Sequence, residues 1–356
     1  MDKLEEQYQK DNITWDECAE IYERQIVGGH PDITAFENFE EDFLDRLLRF
    51  LGKSQDWPLK LMDIGCGSGR LHLRYAAKTI LPARCEKNEP LKKFLHNRPD
   101  LAYDEVLDNN LSEVWGIDFS EKMIALARKK MRESGLDRGL SIKTLFKQGS
   151  AFQLEPQPKK FFPIAVCLVN SISVMQGPEG AQSLFKAMRR AVEPAGGIAI
   201  ISNYQKEYVE SHALGQYEST MDVSGQPWWM KPDTYSSGYK LIPKKYKRSY
   251  CRSPQLAVDV FDEKGNRVEK DFILERDPER TRQVIETGHI RTHSNYQSHW
   301  YSFPQMEAWA HKHWDGQTIY HFPTADLDRI RADASQFTIL DSGDNLKTLF
   351  QRWKIA

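Results

Sequence analysis

The chain has 356 residues, long enough to bury a large core in one elaborated domain or two, and its 40% hydrophobic and 28% charged residues are those of a globular protein. A formal net charge of −2 argues against binding polyanions over the whole surface, although a local basic patch stays open. Five dispersed cysteines (Cys18, Cys66, Cys85, Cys167, Cys251) without zinc-type spacing read as reduced thiols, and with no signal-peptide core or bilayer-length apolar run the chain reads as cytosolic.

Residues 1–57 read as an N-terminal helical cap. Phe39, Phe43, Leu47 and Leu48 recur at helical spacing, and Gly52 supplies an expected stop. The apolar run Leu59–Ile64 predicts a buried strand, followed by Gly65-Cys66-Gly67-Ser68-Gly69 and a helix from Arg70. Residues 78–111 are polar and interrupted by Pro82, Pro90 and Pro99, so an insertion is expected to loop out there, with one short helix at Glu89–Asn97. A second strand, Glu113–Asp118, leads into an amphipathic helix, Ser120–Ser134. A third strand ends near Gly149, and a fourth, Ile164–Val169, is apolar enough to be covered on both faces. A helix at Gly180–Val192 and a strand at Ile198–Ser202 follow.

Strands alternating with helices over residues 58–204 predict an α/β core with a mostly parallel sheet and crossover helices. Residues 205–300, rich in aromatics and turn signals, read as an antiparallel β lid or substrate region. Residues 301–356 are expected to return to the core sheet through the helix Pro304–Lys312 and the terminal run Leu346–Ile355.

The segment Leu61-Met62-Asp63-Ile64-Gly65-Cys66-Gly67-Ser68-Gly69-Arg70 is the centre of the functional argument. A buried strand turning through three glycines lets backbone N–H groups approach a ligand without obstruction by Cβ. The helix N-terminus beyond it favours a carboxylate or phosphate. A dinucleotide fingerprint would need a small residue where Arg70 stands, which disfavours a dehydrogenase. Asp118, at the end of the second strand, is placed to accept two ribose hydroxyls.

These motifs resemble those of the class I, Rossmann-like S-adenosylmethionine-dependent methyltransferases. The resemblance implies a mostly parallel sheet whose last strand is antiparallel, with S-adenosylmethionine as cofactor. It places the cofactor's amino-acid end at Asp63, Gly65, Cys66, Gly67 and Gly69, and its ribose on Asp118. Phe119 and Met123 then lie beside the adenine, and Ser150, Ala151, Phe152, Leu168 and Tyr22 complete the cofactor set. Two features depart from the family: Gly65 and Asp118 lie 53 positions apart, against about 20 in nucleotide-binding folds, and Ser150 stands where an acid is usual.

Cys167-Leu168-Val169-Asn170-Ser171, Glu193–Gly197 and Ser202-Asn203-Tyr204 resemble segments of glycine N-methyltransferase and its sarcosine-modifying relatives. That group carries an arginine where this chain has Ser202. A hydroxyl cannot replace a guanidinium fork, so glycine is disfavoured as substrate.

By the rule for open α/β sheets, Asn170, Ser171, Asn203 and Tyr204 fall near the transferred methyl. The stretch 289–301 would line up His289, Arg291, His293, Asn295, Gln297, His299 and Tyr301 on one face if it were an unbroken strand. The candidate catalytic set is therefore His293, His299, Tyr204 and Asn170, with either histidine serving as base for a hydroxyl acceptor. No metal-ligand spacing occurs. The expected partner is a small-molecule substrate; nucleic acid is disfavoured, no membrane is expected, and a homo-oligomer is left open. The alternatives are an RNA-modifying enzyme using the basic patch at 244–252, and a non-catalytic nucleoside-binding module.

Overall fold

A computed structural model describes residues 19, 31–85, 88–137, 141–169, 171–175, 177–205, 221–223, 226–232, 239–243, 257–261, 267–273, 290–292, 301–324 and 335–353. Helix α1 (Pro31–Ser54) precedes β1 (Leu59–Ile64) and α2 (Arg70–Lys78). Three short helices follow, α3 (Pro82–Cys85), α4 (Glu89–His96) and α5 (Glu105–Asn110), then β2 (Leu111–Asp118), α6 (Glu121–Glu133) and β3 (Lys143–Gln148). After β4 (Phe162–Cys167), α7 (Gly177–Val192) and β5 (Ile198–Tyr204), the chain returns through α8 (Phe303–His313), β12 (Thr318–Pro323), β13 (Ser335–Asp341) and α9 (Lys347–Trp353).

Seven strands form one sheet in the order β3-β2-β1-β4-β5-β13-β12. Strands β1 to β5 pair in parallel, and β13 runs antiparallel to both its neighbours. The expected α/β architecture, with its antiparallel last strand, is therefore the architecture observed. Between β5 and α8 the described residues form two three-stranded antiparallel sheets: β6 (Met221–Val223), β7 (Gln226–Pro232) and β8 (Tyr239–Pro243); and β9 (Ala257–Phe261), β10 (Arg267–Ile273) and β11 (Ile290–Thr292).

The alternation of side chains along each strand builds two cores. Leu61, Ile164, Val166, Ile198, Ile200 and Ile339 pack toward Leu44, Leu47 and Leu51 of α1 and Phe350 of α9. Met62, Ala165, Cys167, Ala199, Ile201 and Leu340 pack toward Leu184, Phe185 and Met188 of α7 and Met306 of α8. Every residue of β1 and β4 is buried, which explains the apolar sequence of β4 and means that Lys60 and Asp63 of β1 are buried charged groups.

Several local expectations are corrected. Gly52 does not stop α1: it lies inside the helix, where an added Cβ would meet the Asn110 side chain at 3.2 Å, so the glycine serves close helix packing. Residues 78–111 do not simply loop out. Leu91 and Leu101 share an apolar cluster with Leu73 and Ala77 of α2 and Met131 of α6, while β1 and β2 still pair in register from Lys60 to Ile64. The terminal run is helix α9, and the sheet is completed by β12 and β13 instead. Among the described residues, no helix is long and apolar enough to cross a membrane.

Candidate active site

The strand order reverses at β1 and β4, which opens a crevice beyond their carboxyl ends. On one side lies the glycine loop. Gly65, Gly67 and Gly69 all have positive φ (74°, 50° and 83°), a region that favours glycine. A Cβ at Gly67 would meet nothing within 4 Å, so the loop presents open backbone at its crest. At Gly69 a Cβ would lie 2.9 Å from that of Ala127, because this residue caps α2 against α6.

The loop is fastened to the end of β2. The amides of Gly65 and Cys66 donate to the Ile117 carbonyl at 2.8 and 3.2 Å. Gly67 donates its N–H to Asp118 Oδ2 at 2.8 Å, and the Ser120 amide donates to Oδ1 at 2.9 Å. Ser120 then caps α6 by accepting from the Met123 amide at 3.1 Å, which fixes Phe119 and the buried Met123 beside the carboxylate. Asp118 is thus held at the loop despite the intervening insertion.

Asp63 is the penultimate residue of β1, just before the loop. Burial pushes its carboxyl up to about 7; Arg70 opposes the shift, while Asp118 and Glu40 add to it. Burial, followed by the Asp118 and Asp63 charges, raises the Cys66 thiol well above its ordinary value, so Cys66 acts as a packed side chain rather than a thiolate. His72 backs the loop from inside the protein, stacked on Phe146 with ring centroids 4.1 Å apart. Its burial lowers the imidazole to about 3, which keeps it neutral. Gly116 makes room for this packing, since a Cβ there would lie 2.6 Å from His72 Cε1.

Across the crevice, Leu168 is buried and Val169 takes φ 52°. This turn ends β4 two residues earlier than the apolar run predicts. A Cβ at Gly65 would lie 3.3 Å from Ser171 Cβ, so the loops after β1 and β4 meet there. Ser150 Oγ accepts from the Phe152 amide at 3.2 Å, and Arg190 anchors the same loop through the Phe152 carbonyl at 3.0 Å. Tyr204 ends β5 opposite Ser335, half-buried, and the buried Asn203 donates through Nδ2 to the Tyr204 carbonyl at 2.8 Å. Tyr22, Asn170, His293 and His299 lie outside the described residues.

The first α helix contributes a residue that the motifs did not reveal. Glu40 is fully buried; its Oε1 accepts the Val169 amide at 2.9 Å and the Ser202 hydroxyl. Its signal was present in the sequence: Glu40 continues the stripe of Leu44, Leu47 and Leu51, where a carboxylate has no reason to be unless it is paired. Beside it, Glu41 and Asp45 of α1 meet Arg70, Arg74 and Lys78 of α2 at 2.6 to 3.0 Å. Burial would raise Asp45, but Arg74 and then Lys78 outweigh it and hold the carboxyl below its ordinary value.

An unobstructed backbone crest at Gly67 and a carboxylate fixed beside it at Asp118 are compatible with S-adenosylmethionine. Residues 103–196 match the family model described as methyltransferase domain. The chain carries a methyltransferase domain. Comparison with curated proteins gives no match. Among solved structures, the domain-bearing chain is similar to the CcbJ methyltransferase of Streptomyces caelestis, at 15% identity and TM-score 0.47, over 93% of this chain and 98% of that one. It is also similar to magnesium protoporphyrin IX methyltransferase of Synechocystis PCC 6803 with bound SAH, at 13% identity and TM-score 0.45, over 95% and 99%. A third likeness, to the small RNA methyltransferase HEN1, has 13% identity and TM-score 0.41, over 86% of this chain and 25% of that one.

Proposed function

We propose that the methyltransferase acts on a small molecule, moving the methyl group to a nitrogen, oxygen or carbon atom by direct in-line displacement. The observation that carries this reading is the Gly67 to Asp118 hydrogen bond, which joins the first two β-α corners into one cradle at the switch point of the sheet. When bound, the cofactor supplies a methyl group made electrophilic by its sulfonium. The residues of the chain then have mainly to align and enclose the reactants.

In this reading the unobstructed crest of the glycine loop and the field of α2 hold the amino-acid end, with Asp63 beneath. Asp118 holds the ribose, Phe119 and Met123 flank the adenine, and Ser150, Ala151 and Phe152 border its far edge. Leu168 and Tyr22 complete the enclosure. Asn170 and Tyr204 orient the acceptor. For a hydroxyl acceptor, His293 or His299 takes the proton; a neutral amine needs no base. Residues 205–300 serve as a lid that excludes water, between the cap and the returning strands.

Ser202 is hydrogen-bonded to Glu40, which makes that corner anionic and unsuited to an amino-acid carboxylate. This supports an acceptor other than glycine, even though the flanking segments resemble the glycine and sarcosine group. Incubation with labelled S-adenosylmethionine and a panel of amines, phenols and carbon acids tests the proposal. Labelled product in any of these classes is expected; labelling of RNA alone would overturn it.

A further inference from the structure

Glu40 joins three elements bordering the crevice. Besides the Val169 amide and the Ser202 hydroxyl, its Oε2 lies 3.3 Å from the Arg70 guanidinium at the first turn of α2. Arg70 also pairs with Glu41 at 3.0 Å, and Glu41 is in turn bonded by Arg74 at 2.6 Å. The Val169 amide is held by Glu40 and by Ser202 Oγ, the latter at 3.2 Å. These bonds keep a β-branched residue in the left-handed region, a costly conformation of a kind that concentrates at functional sites. The negative field reaches the end of β4: the Cys167 thiol is raised by burial first, then by Asp63 and Glu40.

We propose that Glu40 is the charge-balancing residue for the cofactor's sulfonium, so that the site prefers the positively charged methyl donor to the product with its neutral sulfur. The inference rests on the proposed placement of the cofactor, with its sulfur facing the ends of β4 and β5. S-adenosylmethionine and S-adenosylhomocysteine differ by one methyl group and one positive charge at sulfur. Contacts to the ribose, adenine and amino-acid end are common to both, so a nearby carboxylate discriminates between them through charge. For a carboxylate buried as Glu40 is, that interaction is stronger than in bulk solvent. The preference draws in the donor and lets the product leave after transfer. The attraction also weakens as charge leaves sulfur in the transition state, so it opposes the chemical step. The ion pair between Glu40 and Arg70 moderates the effect.

Calorimetric titration of the full-length protein with each of the two ligands tests the assignment. The wild type is expected to bind S-adenosylmethionine more tightly than S-adenosylhomocysteine. Glu40→Gln keeps a carbonyl oxygen for the Val169 amide and Ser202 hydroxyl, and should lower that affinity ratio about tenfold, a change worth roughly one charge interaction in a partly screened site. Glu40→Asp retains the charge and should retain most of the ratio. A purely structural Glu40 would weaken both ligands equally, and an unchanged ratio in Glu40→Gln overturns the proposal. If that variant does not fold, the wild type and Glu40→Asp decide: equal or tighter binding of S-adenosylhomocysteine by either overturns the charge assignment while leaving the cofactor site intact. Failure of both ligands to bind the wild type would remove the placement and the charge assignment together.

Discussion

The amide of Gly67 and the carboxylate of Asp118 meet at 2.8 Å although 50 residues separate them in the chain. The bond makes one structural unit of two β-α corners and sets the carboxylate before any ligand arrives. Asp118→Ala removes both the ligand acceptor and this fastening. The expected effect is a loss of about tenfold to a hundredfold in affinity for S-adenosylhomocysteine, the range for hydrogen bonds to a charged group. Calorimetry reads the change, and unaltered affinity would remove Asp118 from the cofactor site.

Gly69→Ala should unfold the loop's junction with α2 more readily. The residue has φ 83°, and the new Cβ would press on Ala127 at 2.9 Å and on the Phe146 ring at 3.1 Å. Left-handed strain and overpacking together should lower stability by roughly 2–4 kcal/mol, measured by urea denaturation. Gly67→Ala, with open space around it, should lose only the strain contribution, about 1–2 kcal/mol. Equal losses at the two positions would contradict the packing described.

Arg74 is the central cation between α1 and α2, and bonds Glu41 at 2.6 Å and Asp45 at 2.8 Å. All three side chains are buried. Arg74→Leu leaves Glu41 with Arg70 alone and Asp45 with Lys78 alone, and should cost about 2–3 kcal/mol in chemical denaturation, more than loss of an exposed pair. A loss below about 1 kcal/mol would mean that the carboxylates regain water or protons at little expense.

The carboxyl of Asp63 titrates at about 7 in the folded protein and near 3.8 when unfolded. Between those values the native state binds more protons than the unfolded state, so this residue lowers stability as pH rises from about 4 to about 7, and the effect levels off above. Asp63→Asn removes the titration. Thermal melts from pH 5 to 8 should show the variant gaining on the wild type as pH rises; a difference independent of pH would refute the shift.

Much of the fold was legible because its signals are local. The apolar runs at β1 and β4, the Ser120 cap and the glycine spacing each express a short-range rule, and each gave its element to within a few residues. The end of β4 was misplaced because Val169 is apolar like the strand, yet its amide turns toward Glu40, far away in the chain. Gly52 misled for a similar reason: its small size serves Asn110, not a helix stop. The polar insertion concealed Leu91 and Leu101, whose burial depends on α2 and α6 lying beneath them.

The sequence by itself determined the alternating α/β order, the glycine loop and the acid at the end of β2, since all follow from the conformational limits of neighbouring residues. Only the tertiary structure decided which charges share the crevice. Ser202 reads as a lost arginine until Glu40 is found bonded to it, and Asp63 reads as a simple acid until its burial is known. Electrostatic character depends on desolvation and on partners brought from distant segments, neither of which a linear pattern contains.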